Sequence, residues 1–218
     1  MRKMFVALSI ATAASAIPAA AQSVDPVFTG PRIEGTIGWD NLKAGSSTDV
    51  PNGGDRQSTD GFLYGVGIGY DLAVGGVVVG AEAELSDSTA KTGRRSYTQD
   101  FGYGRVNAGR DIYVGARAGI EALPGTLVYV KGGYTNARLN VLAGNTNNTE
   151  TDTNFNLDGW RIGAGAEHAL SPNSFVKVEY RYSNYNRANI RYPDGASTGR
   201  FDVDTDRHQI TASYGFRF

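Results

Sequence analysis

The stretch "YGVGIGYDLAVGGVVVGAEAEL" (residues 64–85) contains two runs of strict alternation separated by a short, glycine-containing gap. From Tyr64 to Leu72 every second residue is large and apolar, and the residues between them are three glycines and Asp71. In the second run, valines, alanines and Leu85 alternate with residues that include Glu82 and Glu84. A period of two residues is that of a β-strand, whose side chains point alternately to opposite faces. The stretch therefore predicts a β-hairpin with one apolar face and one face of glycine and charge.

The same alternation occurs eight times along the chain. The predicted strands are residues 31–42, 60–72, 77–88, 108–122, 127–139, 158–170, 174–187 and 206–218. The gaps "AVGG" (73–76), "LPGT" (123–126) and "SPN" (171–173) are short, whereas the other gaps are long and polar. Short turns that alternate with long loops are typical of outer-membrane barrels, with the turns on the periplasmic side. The predicted fold class is therefore all-β, an eight-stranded antiparallel up-and-down transmembrane β-barrel.

The first 21 residues have the pattern of a secretory signal peptide. Arg2 and Lys3 precede an apolar run, residues 4–17, and Ala19-Ala20-Ala21 has the small residues of a cleavage site. The run is short and alanine-rich for a membrane-spanning helix, and a cytosolic N-terminal helix is the alternative. We expect residues 1–21 to be removed and residues 22–218 to form the barrel domain.

The composition excludes several classes of function. Without its first 21 residues the chain has 19 basic and 22 acidic side chains, a net charge near −3, which argues against nucleic-acid binding. It contains no cysteine, so disulfides and thiolate chemistry are excluded.

The two faces of the strands can be assigned to lipid and lumen. The charged residues share their face with the glycines, and glycine suits a crowded interior better than an exposed strand surface. A soluble barrel or sandwich would reverse the two faces and is the alternative. On the lipid face, aromatic residues are expected at both membrane interfaces. The expected outer belt is Trp39, Tyr64, Tyr134, Trp160 and Tyr182, and the inner ends carry Phe216, Phe218, Leu72 and Leu170.

The inward face of the strands carries charges of both signs. An eight-stranded barrel is only wide enough for side chains to fill, so these charges are expected to pair and to block the lumen. A narrow ion channel, opened when the charges exchange partners, is the alternative. The predicted lumen charge network has six acids and seven bases: Arg32, Glu34, Glu82, Glu84, Arg117, Glu121, Lys131, Arg161, Glu167, Lys177, Glu179, Arg181 and Arg217.

No catalytic or metal site is assigned. His168 and His208 are expected near opposite ends of the barrel, so no catalytic group can be built around both, and a lipid-modifying enzyme is the less favoured reading. Asp202, Asp204 and Asp206 share a strand face and are compatible with a divalent cation. They lack the glycine and distal glutamate of a calcium loop, so a solvated strand extension is expected and no cofactor is predicted. The long loops suit an extracellular ligand, which the sequence does not specify.

Five stretches carry a resemblance to a known family: "YGVGIGYDL" (64–72), "YVKGGYT" (129–135), "GWRIGAGAEHAL" (159–170), "FVKVEYRYS" (175–183) and "YGFRF" (214–218). In their order and spacing they resemble the OmpA-type transmembrane domain and the opacity-like, porin-family surface antigens of Gram-negative bacteria. The resemblance implies a barrel in the outer membrane, among lipid and lipopolysaccharide, with roles in envelope integrity and surface contact.

The same resemblance gives the final residues a role. It implies that Tyr214, Phe216 and Phe218 form a signal read by the outer-membrane assembly machinery. No peptidoglycan-binding domain follows the eighth predicted strand, so peptidoglycan tethering is not implied.

Overall fold

The structure, a computed structural model, describes residues 25–44, 57–90, 95–96, 103–144, 150–191 and 201–218. The predicted signal peptide lies outside these residues. The elements are a 3-10 turn, η1 (Pro26–Phe28), followed by β1 (Gly30–Ala44), β2 (Gln57–Val74), β3 (Val77–Ser88), β4 (Arg95–Ser96), β5 (Tyr103–Leu123), β6 (Thr126–Gly144), β7 (Glu150–Ser171), β8 (Ser174–Arg191) and β9 (Phe201–Arg217). Within the described residues no helix is long and apolar enough to cross a membrane.

Eight long strands close into a barrel. Their order around the ring is β1, β2, β3, β5, β6, β7, β8 and β9, and every neighbouring pair is antiparallel. The ring closes between β1 and β9, where Arg32 pairs with Arg217. The two-residue strand β4 pairs with the start of β5. The predicted fold class is confirmed.

Three tight turns lie at one end of the barrel, which we call the turn end; the opposite end is the loop end. The β2–β3 turn is Gly75–Gly76, with φ angles of 56° and 85°. A two-residue hairpin turn with both φ angles positive matches the twist of its strands, and glycine adopts it without steric cost. The other two turns lie between β5 and β6, where Gly125 has φ of 72°, and between β7 and β8.

Most strands are longer than predicted, mainly toward the loop end. β7 has 22 residues and β5 has 21, whereas a strand needs only about 9–11 residues to cross a bilayer. The polar residues at these ends break the apolar alternation, so the sequence pattern stops before the hydrogen-bonded ladder does. The barrel therefore extends beyond the thickness of an apolar membrane core.

The two faces of the strands are as predicted. Along β2, the even-numbered residues from Phe62 to Val74 point outward and are exposed, whereas Asp71 is fully buried. Inward glycines provide the space for large side chains. A Cβ atom on Gly80 would lie 2.0 Å from an Asp71 carboxylate oxygen, and one on Gly215 would lie 2.4 Å from the Phe175 ring. The charged and glycine-rich face is therefore the interior.

Candidate functional site

Among the residues whose side chains the structure describes, sixteen charged ones are buried in the lumen, eight acidic and eight basic, and each residue is at most 7 % exposed. The acids are Glu34, Asp40, Asp71, Glu82, Glu84, Asp111, Glu167 and Glu179, and the bases are Arg32, Arg117, Lys131, Arg161, Lys177, Arg181, Arg207 and Arg217. Their formal charges sum to zero. Each of the sixteen takes part in at least one ion pair, and the pairs join all of them into one lumen network.

Asp71 is the centre of the network at the turn end. One of its carboxylate oxygens accepts hydrogen bonds from Arg32 (3.0 Å), Arg117 (2.7 Å) and Arg217 (2.9 Å). The other accepts a second bond from Arg117, at 2.8 Å. Glu167 shares two of these arginines, at 2.8 Å from Arg117 and 2.9 Å from Arg217. A carboxylate that receives several charged donors keeps its charge at low cost in a dry interior.

Lysine and glutamate side chains fill the middle of the lumen. The Lys131 ammonium lies 2.6 Å from Glu82, 2.5 Å from Glu84 and 3.0 Å from Glu179. Arg181 pairs with Glu179 and, at 3.0 Å, with Glu84. These residues come from strands β3, β6 and β8, so the contacts cross the lumen and hold distant parts of the wall together.

A second group of four charges lies nearer the loop end. Arg207 donates to both oxygens of Asp40, at 2.7 and 2.8 Å, and to Asp111 at 2.7 Å. Arg161 also pairs with Asp111. Its guanidinium lies 3.7 Å from Glu84, and among the ion pairs of the described residues this is the contact that joins the four charges to the other twelve.

Buried tyrosines complete the packing of the lumen. The Tyr129 hydroxyl donates to Glu179 at 2.6 Å, and the Arg117 guanidinium lies 5.0 Å from the centre of its ring. The Lys131 ammonium lies 4.7 Å from the centre of the Tyr113 ring. Stacking of cations on aromatic rings supplies attraction without further charge.

Twelve of the thirteen residues predicted for the lumen network lie in it. Glu121 is a correction: it is only half buried and lies at the turn end, where it accepts hydrogen bonds from the backbone N–H groups of Gly125 (3.0 Å) and Asp25 (3.1 Å). Glu121 pairs with Leu127 at the last position of the regular β5–β6 ladder, so its carboxylate lies at the mouth, away from the charges deeper in the lumen.

Four lumen charges were missed: Asp40, Asp71, Asp111 and Arg207. Asp40, Asp111 and Arg207 have the same odd or even parity as the charged residues predicted on their strands, and Asp71 shares its face with the glycines of β2. Applying the face assignment to every charged residue of each strand was therefore the signal that would have found all four.

The outward aromatic residues are where the sequence placed them. Trp39, Tyr64, Tyr134 and Trp160 are exposed on the outer wall, Tyr182 is half buried, and the Trp160 and Tyr182 rings meet edge to face at 5.5 Å. At the turn end, Tyr214, Phe216 and Phe218 all point outward, and the first two rings are 5.2 Å apart.

The two histidines do not come together. The His168 ring lies 2.9 Å from the Thr126 hydroxyl at the turn end, whereas the His208 ring lies 2.7 Å from the Tyr180 hydroxyl in the loop-end half. Asp206 accepts hydrogen bonds from Tyr182 (2.6 Å) and Asn184 (2.9 Å). The side chains of Asp202 and Asp204 lie outside the described residues, so the cation hypothesis for these aspartates stays a prediction.

Three comparisons relate this architecture to known proteins. The family model described as "Outer membrane protein beta-barrel domain" matches residues 6–218. The 31 kDa outer-membrane immunogenic protein of Brucella melitensis is 31% identical over 185 residues, which cover 82% of this chain and 72% of that protein. The 22 kDa outer membrane protein of Rhizobium leguminosarum is 25% identical and covers 83% of this chain and 78% of that protein.

A solved structure shows the same fold. The crystal structure of Neisserial surface protein A aligns with a TM-score of 0.52, covering 87% of this chain and 98% of that one. The sequences are 13% identical, so the likeness concerns the fold alone.

Proposed function

The chain belongs to the outer-membrane protein β-barrel domain family, and from this premise we propose that it is a non-enzymatic barrel whose own charges close its lumen and whose loops contact the cell's surroundings. Its location is the outer membrane of a Gram-negative bacterium, where lipid and lipopolysaccharide surround the outward face. In this orientation the turn end faces the periplasm and the loop end faces outward.

The observation that carries the proposal is the balance of the lumen network. Sixteen charges that sum to zero are joined by ion pairs in a space that eight strands leave just wide enough for side chains. An ion that entered would have to displace paired groups from a dry interior, where an unpaired charge costs several kcal/mol. This arrangement favours a closed structural barrel over an open pore.

Two further features support a surface role without chemistry. The relatives from Brucella are named outer-membrane immunogenic proteins, which fits exposure of loops to a host. His168 and His208 bind hydroxyl groups in different halves of the barrel, so neither has the other within reach as a catalytic partner. The loops are the proposed binding region for an extracellular ligand, and the proposed physiological role is in envelope integrity and surface contact.

Conductance of the refolded protein in planar bilayers tests the closed lumen. We expect no stable conductance steps from residues 22–218. As a control, Arg117→Ala should give steps or a noisy leak, because it leaves Asp71 and Glu167 with one cation fewer. The proposal would be overturned if the unaltered protein gave stable conductance steps and Glu82→Gln or Arg117→Ala abolished those steps. A deletion strain should also become more sensitive to detergent and recover when the gene is restored.

A narrow ion channel is the second candidate, and one contact favours it. The four loop-end charges are joined to the rest by Arg161 and Glu84 at 3.7 Å, and among the described residues the Arg161 Nη1 atom has no hydrogen-bond partner. Each of the two groups of charges is neutral on its own, so they can separate without leaving net charge behind. Under this candidate, the unaltered protein conducts and Arg161→Gln changes the size of the steps.

The remaining roles concern export and assembly. We propose that residues 1–21 are the export signal, that residues 22–218 form the mature domain, and that Tyr214, Phe216 and Phe218 are read by the assembly machinery. Mass spectrometry of the mature N-terminus tests the first two proposals: a first residue other than Gln22 would contradict them.

A further inference from the structure

Residues 25–29, which we call the strap, run across the mouth of the barrel at the turn end. The strap contains η1 and enters β1 at Gly30, whose φ of 107° turns the chain at that point. Its other end contacts Glu121, near the turn between β5 and β6. In the ring order this turn lies on the far side from β1. The strap therefore spans the mouth rather than following its rim.

The centre of the strap is inserted into the lumen. Phe28 is fully buried and packs against Val78, Leu127 and Tyr129, which point inward from β3 and β6. A phenylalanine that leaves water completely contributes roughly 1.5–3 kcal/mol of hydrophobic free energy in general. An aromatic ring packed among the inward side chains of two strands fills the lumen at this end.

Polar contacts hold both ends of the strap. The Asp25 backbone N–H donates to Glu121 at 3.1 Å, and the other oxygen of Glu121 accepts from the Gly125 backbone N–H. The Val27 carbonyl accepts from Arg217 at 2.7 Å. Arg217 also pairs with Asp71, at 2.9 Å, so the strap is bonded directly to the base of the lumen network.

We propose that the strap is a periplasmic stopper that closes the turn-end mouth of the lumen and keeps water from the charges above it. The rings of Phe28 and Phe175 are both buried, and the Arg217 guanidinium that donates to the strap lies 5.3 Å from the centre of the Phe175 ring. Exclusion of water strengthens ion pairs, because the effective dielectric constant is lower in a dry site. The lumen then has two closures in series, the strap and the lumen network.

The absence of cysteine allows a direct test by thiol labelling. Val78→Cys places a thiol in the buried cluster around Phe28, and Leu63→Cys places one at a fully buried inward position in the loop-end half as a matched control. A charged maleimide is added to each folded protein in detergent, which exposes both ends of the barrel. Folding is verified by the heat-modifiable gel shift.

Adding Phe28→Ala should raise the labelling rate of Val78→Cys on the order of 10-fold or more and leave that of Leu63→Cys unchanged, because only the turn-end mouth opens. Equal rates with and without Phe28 would overturn the stopper. This test is independent of the closed-lumen proposal. Conductance steps from the unaltered protein would refute the closed lumen, but they would leave the difference in labelling rate, and with it the stopper, unaffected.

A second measurement leaves Phe28 in place. A short bismaleimide should link Asp25→Cys to Glu121→Cys in the folded protein and should not link Asp25→Cys to Asp87→Cys, which lies near the loop end of β3. A linked product is resolved as a shifted band after denaturation. No link in the first pair, with both thiols reactive after unfolding, would show that the strap does not cross the mouth.

Discussion

The Asp71→Asn substitution removes a carboxylate that three arginines share. Four N–H groups of Arg32, Arg117 and Arg217 donate to its two oxygens at 2.7–3.0 Å. Asparagine keeps one oxygen and places an NH₂ group against guanidinium donors, so at least one bond becomes a clash of donors. Breaking a buried ion pair by removing one partner costs about 3–5 kcal/mol. We expect a loss of that size in the free energy of unfolding.

Urea unfolding of the protein refolded in lipid vesicles measures this loss. The chain has two tryptophans, Trp39 and Trp160, and both point toward the membrane, so their fluorescence reports release from lipid. The matched control is Glu121→Gln, which also replaces a carboxylate by an amide but lies half buried at the mouth. Its loss should stay within about 1 kcal/mol, because the amide oxygen still accepts a backbone N–H.

A double variant separates charge from shape. Asp71→Asn with Arg217→Gln restores neutrality, and we expect it to recover at least about 1 kcal/mol relative to Asp71→Asn alone, since neighbouring charges couple by about 0.5–3 kcal/mol. The reasoning is refuted if Asp71→Asn lowers the free energy of unfolding by less than Glu121→Gln does. It would mean that water reaches Asp71 and that the lumen network is not dry.

Three other substitutions test the wall of the barrel. Gly80→Ala places a Cβ atom 2.0 Å from the Asp71 carboxylate and should lower the free energy of unfolding in urea by about 1–3 kcal/mol. Gly35→Ala is the control, because a Cβ atom there has no atom within 4 Å. Equal losses of free energy for the two variants would contradict a crowded lumen. Ala116→Arg puts a charge on the outward face and should cost roughly 2–4 kcal/mol; a neutral result would mean that this face does not meet lipid. Phe218→Ala should lower the fraction of protein that is assembled in the outer membrane of cells, measured by the heat-modifiable gel shift, and unchanged assembly would count against the proposed assembly signal.

The tight turns and the two faces were readable from sequence because both are local properties. Gly75 and Gly76 adopt positive φ angles, and glycine in a short gap between alternating runs already indicated such a turn. Phe175 has the parity of Lys177, and parity alone places it inside the barrel, where it is buried. Neither result depends on knowing which strands are neighbours.

Errors arose where the alternation was interrupted. Glu121 was predicted for the lumen by parity, but it lies where the regular ladder of β5 ends, so its carboxylate meets backbone N–H groups at the mouth. Asp111 and Arg207 lie in polar stretches where the apolar face is incomplete, so the predicted strands gave them no role. Phe28 precedes the first predicted strand, and no local pattern marks it as a buried stopper.

The sequence by itself determined that the chain forms alternating strands, which residues face inward, and that the inward charges nearly balance. Only the tertiary structure decided which charges meet. Arg207 contacts Asp40 across 167 residues and Arg217 meets Asp71 across 146. Strand alternation follows from local backbone geometry, whereas these contacts depend on the register and closure of all eight long strands. Closure also brings Glu121 within reach of Asp25, and this contact makes the strap a cover for the mouth.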